Sequence, residues 1–192
     1  MFYKDMKIRT AGIFDAQEIL EIYAPYVKKT AITFEYEVPA LTEFERRIKH
    51  TLARYPYLVA EKDGEILGYA YTGVFKDRAA YDWVAEVSIY VKEDKRGLGI
   101  GSRLYGALEE ISRAQHILNL NACIAYSDRE DAYLTKDSVK FHSRMGYHLV
   151  GKFHQCGYKF GRWYDMVWME KILGEHPADP APVIGFTKIG GG

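Results

Sequence analysis

Between Tyr81 and Leu108 the chain reads YDWVAEVSIYVKEDKRGLGIGSRLYGAL: an apolar run, a basic glycine-rich turn, then apolar residues at helical spacing. No other stretch restricts the fold as much. It requires a strand to feed a helix through a turn, Arg96-Gly97-Leu98-Gly99-Ile100-Gly101, that opens the helix rather than closing one. Such a turn presents unpaired backbone N–H groups at the positive end of the helix dipole. That arrangement suits a phosphate or pyrophosphate. Glycines also serve turns for steric reasons alone, so the turn by itself is a weak signal. A P-loop is excluded by the absence of GxxxxGK[ST]. A dinucleotide fingerprint would follow the first strand, with an acid about 20 residues on, whereas this turn follows the fourth strand or so.

With 192 residues, the chain is expected to form one domain over residues 1–173 and an irregular Pro- and Gly-rich tail over 174–192. Lys+Arg and Asp+Glu each number 26, so no general basic field for nucleic acid exists and none is expected as a partner. No apolar run approaches the roughly 18 residues of a membrane span, and MFYKDMKIRT lacks the apolar block of a signal peptide. Cys123 and Cys156 form no CxxC pair, which points to free thiols in a reducing cytoplasm. The cysteines and histidines show no zinc-like spacing, so no metal is expected. Sixteen tyrosines fit an aromatic-lined small-molecule pocket, and a generous core equally well.

Asp5 to Arg9 reads as a first strand, and Phe14, Ile19, Ile22, Tyr23 and Tyr26 recur at helical spacing. Thr30 to Glu37 is β-branched and aromatic, a short strand or an extended loop. Leu41, Phe44, Ile48 and Leu52 mark a second helix. Runs 57–61 and 66–71 form a hairpin about Asp63-Gly64. Trp83–Val91 is the next strand, and Ile100 to Ile111 the third helix. A strand over 120–126, a short helix from Ser138 to Met145 closed by Gly146, and a final hairpin around Gly157–Gly161 complete the chain. The order predicts a mixed α/β sheet with helices on both faces.

Within 84–91, Ala85, Val87, Ile89 and Val91 share one face and Val84, Glu86, Ser88 and Tyr90 the other. A carboxylate in so apolar a strand has either a wet face or a task, because unpaired burial is costly. The residues alone leave both readings open.

The pattern Arg96-x-x-Gly99-x-Gly101 after Ile89-Tyr90-Val91 resembles the acetyl-CoA loop of the GNAT superfamily of N-acetyltransferases. Three longer runs, RYPYLVAE (54–61), FKDRAAYDWVAE (75–86) and GYKFGRWYD (157–165), are similar to the phosphinothricin acetyltransferase branch of that superfamily. The resemblance implies a GNAT fold, with a mixed, mostly antiparallel sheet of about seven strands flanked by helices on both faces. It implies acetyl-CoA as cofactor, held by Arg96, Gly97, Leu98, Gly99, Ile100, Gly101 and Ser102 and lying along Val87, Ile89 and Val91. Gly99 and Gly101 would let the backbone approach the phosphates.

The resemblance also assigns roles on the acceptor side. Glu86 becomes the general base that deprotonates an amine, and His142 the acid toward the leaving thiolate. Lys76, Arg78 and Tyr81 become acceptor-site residues, the two cations suiting carboxylate or phosphinate oxygens, while Phe34 and Tyr90 read as apolar walls of that site or, equally, as core. The acceptor is then a small amino-acid-like amine of the phosphinothricin or methionine sulfone or sulfoximine type. A polyamine, an aminoglycoside or a protein N-terminus is the alternative acceptor, and a non-catalytic acyl-CoA sensor the alternative class. A homodimer is expected. One segment departs from the pattern: SDREDAYLTKD (127–137) is long and acidic where the family carries a short asparagine-containing loop. It is expected to disfavour an anionic acceptor.

Overall fold

The computed structural model describes residues 5–189. Seven strands form one sheet: β1 (Lys7–Thr10), β2 (Tyr57–Lys62), β3 (Glu65–Val74), β4 (Val84–Val91), β5 (Asn119–Tyr126), β6 (His148–Lys159) and β7 (Arg162–Ile172). Their order across the sheet is β1-β2-β3-β4-β5-β7-β6. Every pairing is antiparallel except β4 with β5. The helices are α1 (Ala16–Lys29), α2 (Leu41–Leu52), α3 (Ile100–Ala114) and α4 (Asp137–Arg144).

Strand alternation divides the core. Leu58, Ala60, Leu67, Ala70, Ala85, Val87, Leu120, Ala122, Val167 and Met169 face α3, whose Ile100, Leu104 and Leu108 are buried against them. Tyr57, Val59 and Tyr69 face α1 and α2, meeting Ile19, Tyr23, Phe44 and Ile48. Glu86 lies on this second, tyrosine-rich face, in register with Gly73 of β3 and Asn121 of β5.

The turns follow local chemistry. Asp63 and Gly64 both have positive φ, 53° and 81°, the two-residue hairpin geometry that this pair favours. The last hairpin is tighter than the sequence suggests. Phe160 and Gly161 alone make the turn, and Gly157, Tyr158 and Lys159 stay in β6 opposite Tyr164, Trp163 and Arg162. Residues 30–37 form an extended loop rather than a strand. Side chains and tertiary contacts hold it: Thr30 Oγ1 donates to the Tyr26 carbonyl, the Ala31 N–H to Tyr133, and Lys159 Nζ to the Thr33 carbonyl.

Residues 174–189 are irregular apart from one 3₁₀ turn at Phe186–Lys188. They are tied to the body nonetheless. The Ile184 N–H donates to the Gln115 carbonyl, the Phe186 N–H to that of Arg54, and the Trp83 indole to that of Ala181. Among the described residues no helix is long and apolar enough to cross a membrane, and no group of three or more potential ligands could hold a metal ion.

Candidate active site

The site grows from a defect in the sheet. β4 and β5 pair at only three positions, Val84–Glu86 against Asn119–Asn121, and then continue to Val91 and Tyr126 without pairing. In the β3–β4 ladder alternate residues aim their N–H and C=O groups away from β3. Val91 is one of these, because its carbonyl accepts from the Tyr26 hydroxyl at 2.6 Å while its N–H lies 3.3 Å from the same oxygen. Ile89 and Val87 share that phase and aim their backbone groups into the gap. Their side chains point elsewhere: Val87 is buried in the α3-side core, with Ile89 and Val91 packed against it. These three residues therefore offer backbone, not side chain, to anything lying along β4. Tyr26, which holds the end of the strand, was not singled out from sequence because it reads as one more apolar helix position.

The gap runs into the glycine turn. Gly97 and Gly99 have φ of 75° and 83°, a region that L-residues rarely adopt. Gly101 serves a different purpose from the one its motif suggests. A Cβ there would sit 3.0–3.1 Å from the Phe141 ring and 3.3 Å from Ile89 Cδ1, so Gly101 allows α3 to pack closely on α4 and β4. The amides of Gly99, Ile100, Gly101 and Ser102 have no hydrogen-bond acceptor among the described residues. The Ile100 side chain is buried, leaving only its amide for a ligand, whereas Leu98 and Ser102 are exposed. The Arg96 guanidinium lies 5.0 Å from the centre of the Tyr26 ring. The turn thus joins unsatisfied N–H donors, a helix N-terminus and a cation.

Glu86 is half-buried on the opposite face of β4, and its carboxylate has no hydrogen-bond partner among the described residues. Burial raises its pKa above the ordinary value of 4.5, and the charge of Lys76 opposes that rise. Lys76 Nζ lies over the rings of Phe75, at 5.2 Å, and Trp168, at 5.7 Å. Phe75 packs edge-on against both Trp168 and Tyr81. Cys123 is open to water, yet the atoms crowded around it and the nearby Glu86 charge push its thiol up to about 12. A thiol held so far from its thiolate is a weak nucleophile. Trp168, Cys123 and Asn121 share the face of Glu86 through the β4–β5–β7 register, a relation no sequence spacing reveals.

The other expected acceptor residues separate into three places. Lys76, Arg78 and Tyr81 line one depression together with the Arg54–Asp82 ion pair. Tyr90 packs edge-on to Tyr23 and Tyr26 on the α1 side. Phe34 belongs to a small cluster with Ala31, Leu134 and Tyr164. Its ring lies on Gly157, where a Cβ would come within 2.3 Å of it, so Gly157 is what lets Phe34 sit there.

His142 is buried rather than open to the cleft. It is 3% exposed, enclosed by Tyr105, Phe141 and Tyr147. Its Nδ1 lies 2.7 Å from the Ser138 carbonyl, which only accepts, so the proton is on Nδ1. Nε2, 2.8 Å from the Tyr105 hydroxyl, then accepts and has no proton to give. Burial lowers its pKa to about 4, only partly offset by the Ser138 bond. The histidine joins α4 to α3.

The acidic loop is also other than expected, because its charges are matched. Asp131 accepts from the amides of Tyr133 and Leu134 and from Arg162 and the Tyr164 hydroxyl. Asp128 pairs with Lys152, and Glu130 and Asp137 lie within 3.8 Å of Lys140. No repulsive acidic mouth results.

Comparison with known proteins decides the family. The family model described as an acetyltransferase (GNAT) domain matches residues 8–168. This chain is a GNAT acetyltransferase. The acetyltransferase is 33% identical over 186 residues, 97% of either chain, to a phosphinothricin N-acetyltransferase of Streptomyces viridochromogenes. It is 36% identical over 178 residues to an L-methionine sulfoximine/L-methionine sulfone acetyltransferase of Pseudomonas aeruginosa, covering 91% of this chain and 98% of the relative. Among solved structures, a phosphinothricin acetyltransferase from Sinorhizobium meliloti in complex with acetyl-CoA superposes with a TM-score of 0.83 at 32% identity, covering 92% of this chain and 93% of that one. The acetyltransferase is therefore related to the phosphinothricin branch, and its mostly antiparallel seven-stranded sheet between two helical layers is the GNAT fold.

Proposed function

We propose that this acetyltransferase takes acetyl-CoA as donor and a small amino-acid-like amine as acceptor, with Glu86 as general base. The observation that carries the donor assignment is the unpaired edge of β4 leading into four adjacent amides without acceptors. Pyrophosphate oxygens satisfy such amides, and Arg96 adds charge. The backbone groups of Val87 and Ile89 match the amides of a pantetheine arm. When bound, the donor supplies an activated acetyl thioester.

An amine is mostly protonated near neutral pH and is no nucleophile until it loses that proton. Glu86, with no competing hydrogen bond and a pKa raised by burial, is suited to receive it directly or through a water. The β4 N–H groups that face the gap are suited to stabilise the oxyanion that develops during attack. Lys76 and Arg78 suit the carboxylate or a phosphinic, sulfone or sulfoximine group of the acceptor. Pairing of the acids of the 127–137 loop with cations of α4, β6 and β7 weakens the objection to an anionic acceptor.

The same reading makes the protein cytoplasmic, in keeping with two exposed free thiols. It makes the protein a homodimer through the exposed apolar strip of Leu149, Val150, Phe153 and Trp163 on the last hairpin, which sedimentation tests. The direct test is thiol release from acetyl-CoA across a panel of amines, phosphinothricin and methionine sulfone included. Release with those acceptors supports the reading; binding of acetyl-CoA without release on any amine overturns it.

A further inference from the structure

A cavity lies between α2 and the sheet, on the face that carries Glu86. Its sheet wall is made of Tyr57, Tyr69, Tyr71 and Tyr90. The first three rings are nearly parallel, within 10° of one another at centroid separations of 4.8–6.5 Å, and Tyr90 stacks on Tyr69 at 5.3 Å. Parallel rings carried by adjacent strands bring their hydroxyls to one place. Tyr57 and Tyr69 are 3% and 1% exposed. Their hydroxyls, like that of Tyr90, have no hydrogen-bond partner among the described residues, although their oxygens are not sealed in the core.

Four other core tyrosines are partnered, whereas the Tyr147 hydroxyl is sealed in the α3-side core without a hydrogen-bond partner. Tyr23, Tyr26, Tyr105 and Tyr164 each bond to a protein group. Buried polar groups are normally satisfied, and leaving one unpaired costs about 1–3 kcal/mol. Three phenols opening on one cavity can donate to a ligand's acceptor atom or to solvent. Burial and their mutual proximity keep them protonated, so they donate.

The α2 wall adds two guanidinium groups, each already paired with an acid behind the lining. Arg46 and Arg47 line the cavity with His50, and no carboxylate lines it. Glu43 pairs with both arginines and Glu35 with Arg47, and neither acid reaches the lining. The cavity lies on the side of β4 that carries the base. Tyr71 is in register with Ser88, two residues along β4 from Glu86 on the same face, and the Glu86 charge is felt at its hydroxyl. At about 3.3 Å per residue, Ser88 lies roughly 7 Å and Tyr90 roughly 13 Å from Glu86.

We propose that this tyrosine-lined cavity is a second anion subsite, holding a carboxylate borne on a flat apolar group, and that its occupant is the far end of the amine acceptor. The assignment rests on Glu86 marking the amine. It selects acceptors whose amine and distal carboxylate are separated by roughly 7–13 Å, such as amines that carry a carboxyl group on an aryl ring. Lys76 and Arg78 lie at the opposite end of β4, in a separate depression beside Val84.

The test uses phenylacetate, which has the ring and the carboxylate and no amine, so binding is read without turnover. Calorimetric titration compares wild type with the double variant Tyr57→Phe, Tyr69→Phe, and with Lys76→Met. The double variant keeps both rings and removes only hydroxyls without partners, so its melting temperature is expected to match wild type. Phenylacetate is expected to bind wild type and Lys76→Met alike, at least ten-fold more weakly to the double variant, and at least ten-fold more tightly than benzyl alcohol. It is expected to compete with the best acceptor amine and not with acetyl-CoA. Absence of binding, or equal binding to the double variant, overturns the subsite and leaves a cavity for solvent. Loss of binding in Lys76→Met alone places the anion at the other site and overturns it too. Binding without competition against the amine marks a separate effector and overturns the acceptor assignment. Failure of acetyl transfer itself leaves the titration readable, so the two claims fail separately.

Discussion

Two glycines on the same helix make opposite predictions. Gly99 precedes α3 with φ 83° and ψ 0°, and a Cβ there would meet nothing within 4 Å. Gly99→Ala therefore isolates the cost of the left-handed backbone, about 1–2 kcal/mol for an L-residue, with no steric term. Gly106 lies inside α3 at ordinary helical φ, and a Cβ there would likewise meet nothing within 4 Å. At that position alanine is preferred by about 0.5–1 kcal/mol. For a chain of this size each kcal/mol moves the melting temperature by about 2–4 °C. Gly99→Ala is expected to melt about 2–8 °C lower and Gly106→Ala about 1–4 °C higher. The functional consequence separates them further. If Gly99→Ala relieves its strain by leaving the left-handed region, the four amides that follow lose their common aim. Acetyl-CoA affinity is then expected to fall by about 5- to 30-fold, the equivalent of 1–2 kcal/mol, and to stay unchanged in Gly106→Ala. Gly99→Asn is expected to fall between wild type and alanine, because asparagine tolerates this conformation better. Calorimetric melting and acetyl-CoA titration of the three variants are sufficient. Wild-type affinity and stability in Gly99→Ala refute the argument that the turn's conformation creates the phosphate site.

Three further outcomes follow from named contacts. Lys76→Met removes a cation that favours ionised Glu86, so the acidic limb of kcat/KM, which needs the carboxylate, is expected to move to higher pH; an unmoved limb separates the two residues. His142→Phe keeps a ring but loses the Ser138 and Tyr105 bonds, with an expected loss of about 1–3 kcal/mol by urea denaturation and turnover within ten-fold of wild type; a collapse of turnover in folded protein restores an acid role. Because His142 titrates near 4 when folded and 6.5 when unfolded, the unfolded chain binds the extra proton between those values. Its stability contribution is full above pH 6.5 and is lost as pH falls toward 4, and that part of the acid sensitivity is expected to vanish in His142→Phe. Asp131→Ala removes four hydrogen bonds from the 127–137 loop and is expected to lower the melting temperature, with little effect on turnover of an uncharged acceptor.

The elements that carry strong periodicity or turn chemistry were legible in the sequence: the four helices, the Asp63-Gly64 hairpin and the strand–turn–helix from β4 to α3. Residues 30–37 were not resolved between strand and loop, because β propensity describes a side chain's fit and not whether a neighbouring strand pairs with it. The five-residue hairpin loop was read too long because glycine at 157 suggested a turn, whereas it answers to the ring of Phe34. At the site, alternation along β4 placed Glu86 and separated it from Val87, Ile89 and Val91. What stayed hidden was tertiary. The role of Gly101 depends on Phe141, forty residues away, and the environment of His142 on Tyr105 from another helix. The tyrosine cavity needs three strands and α2 together, so sixteen tyrosines in composition pointed to a pocket or a core without distinguishing them.

The central claim is that Glu86 removes the proton from the acceptor amine beside a donor held by β4 and the glycine turn. Glu86→Gln tests it most directly, since the amide keeps shape and loses basicity. Acetyl-CoA affinity is predicted to match wild type, while kcat/KM for the amine falls by about 100- to 10,000-fold and no longer rises with pH through an acidic limb. Turnover near the wild-type rate with the same pH profile in Glu86→Gln contradicts the account.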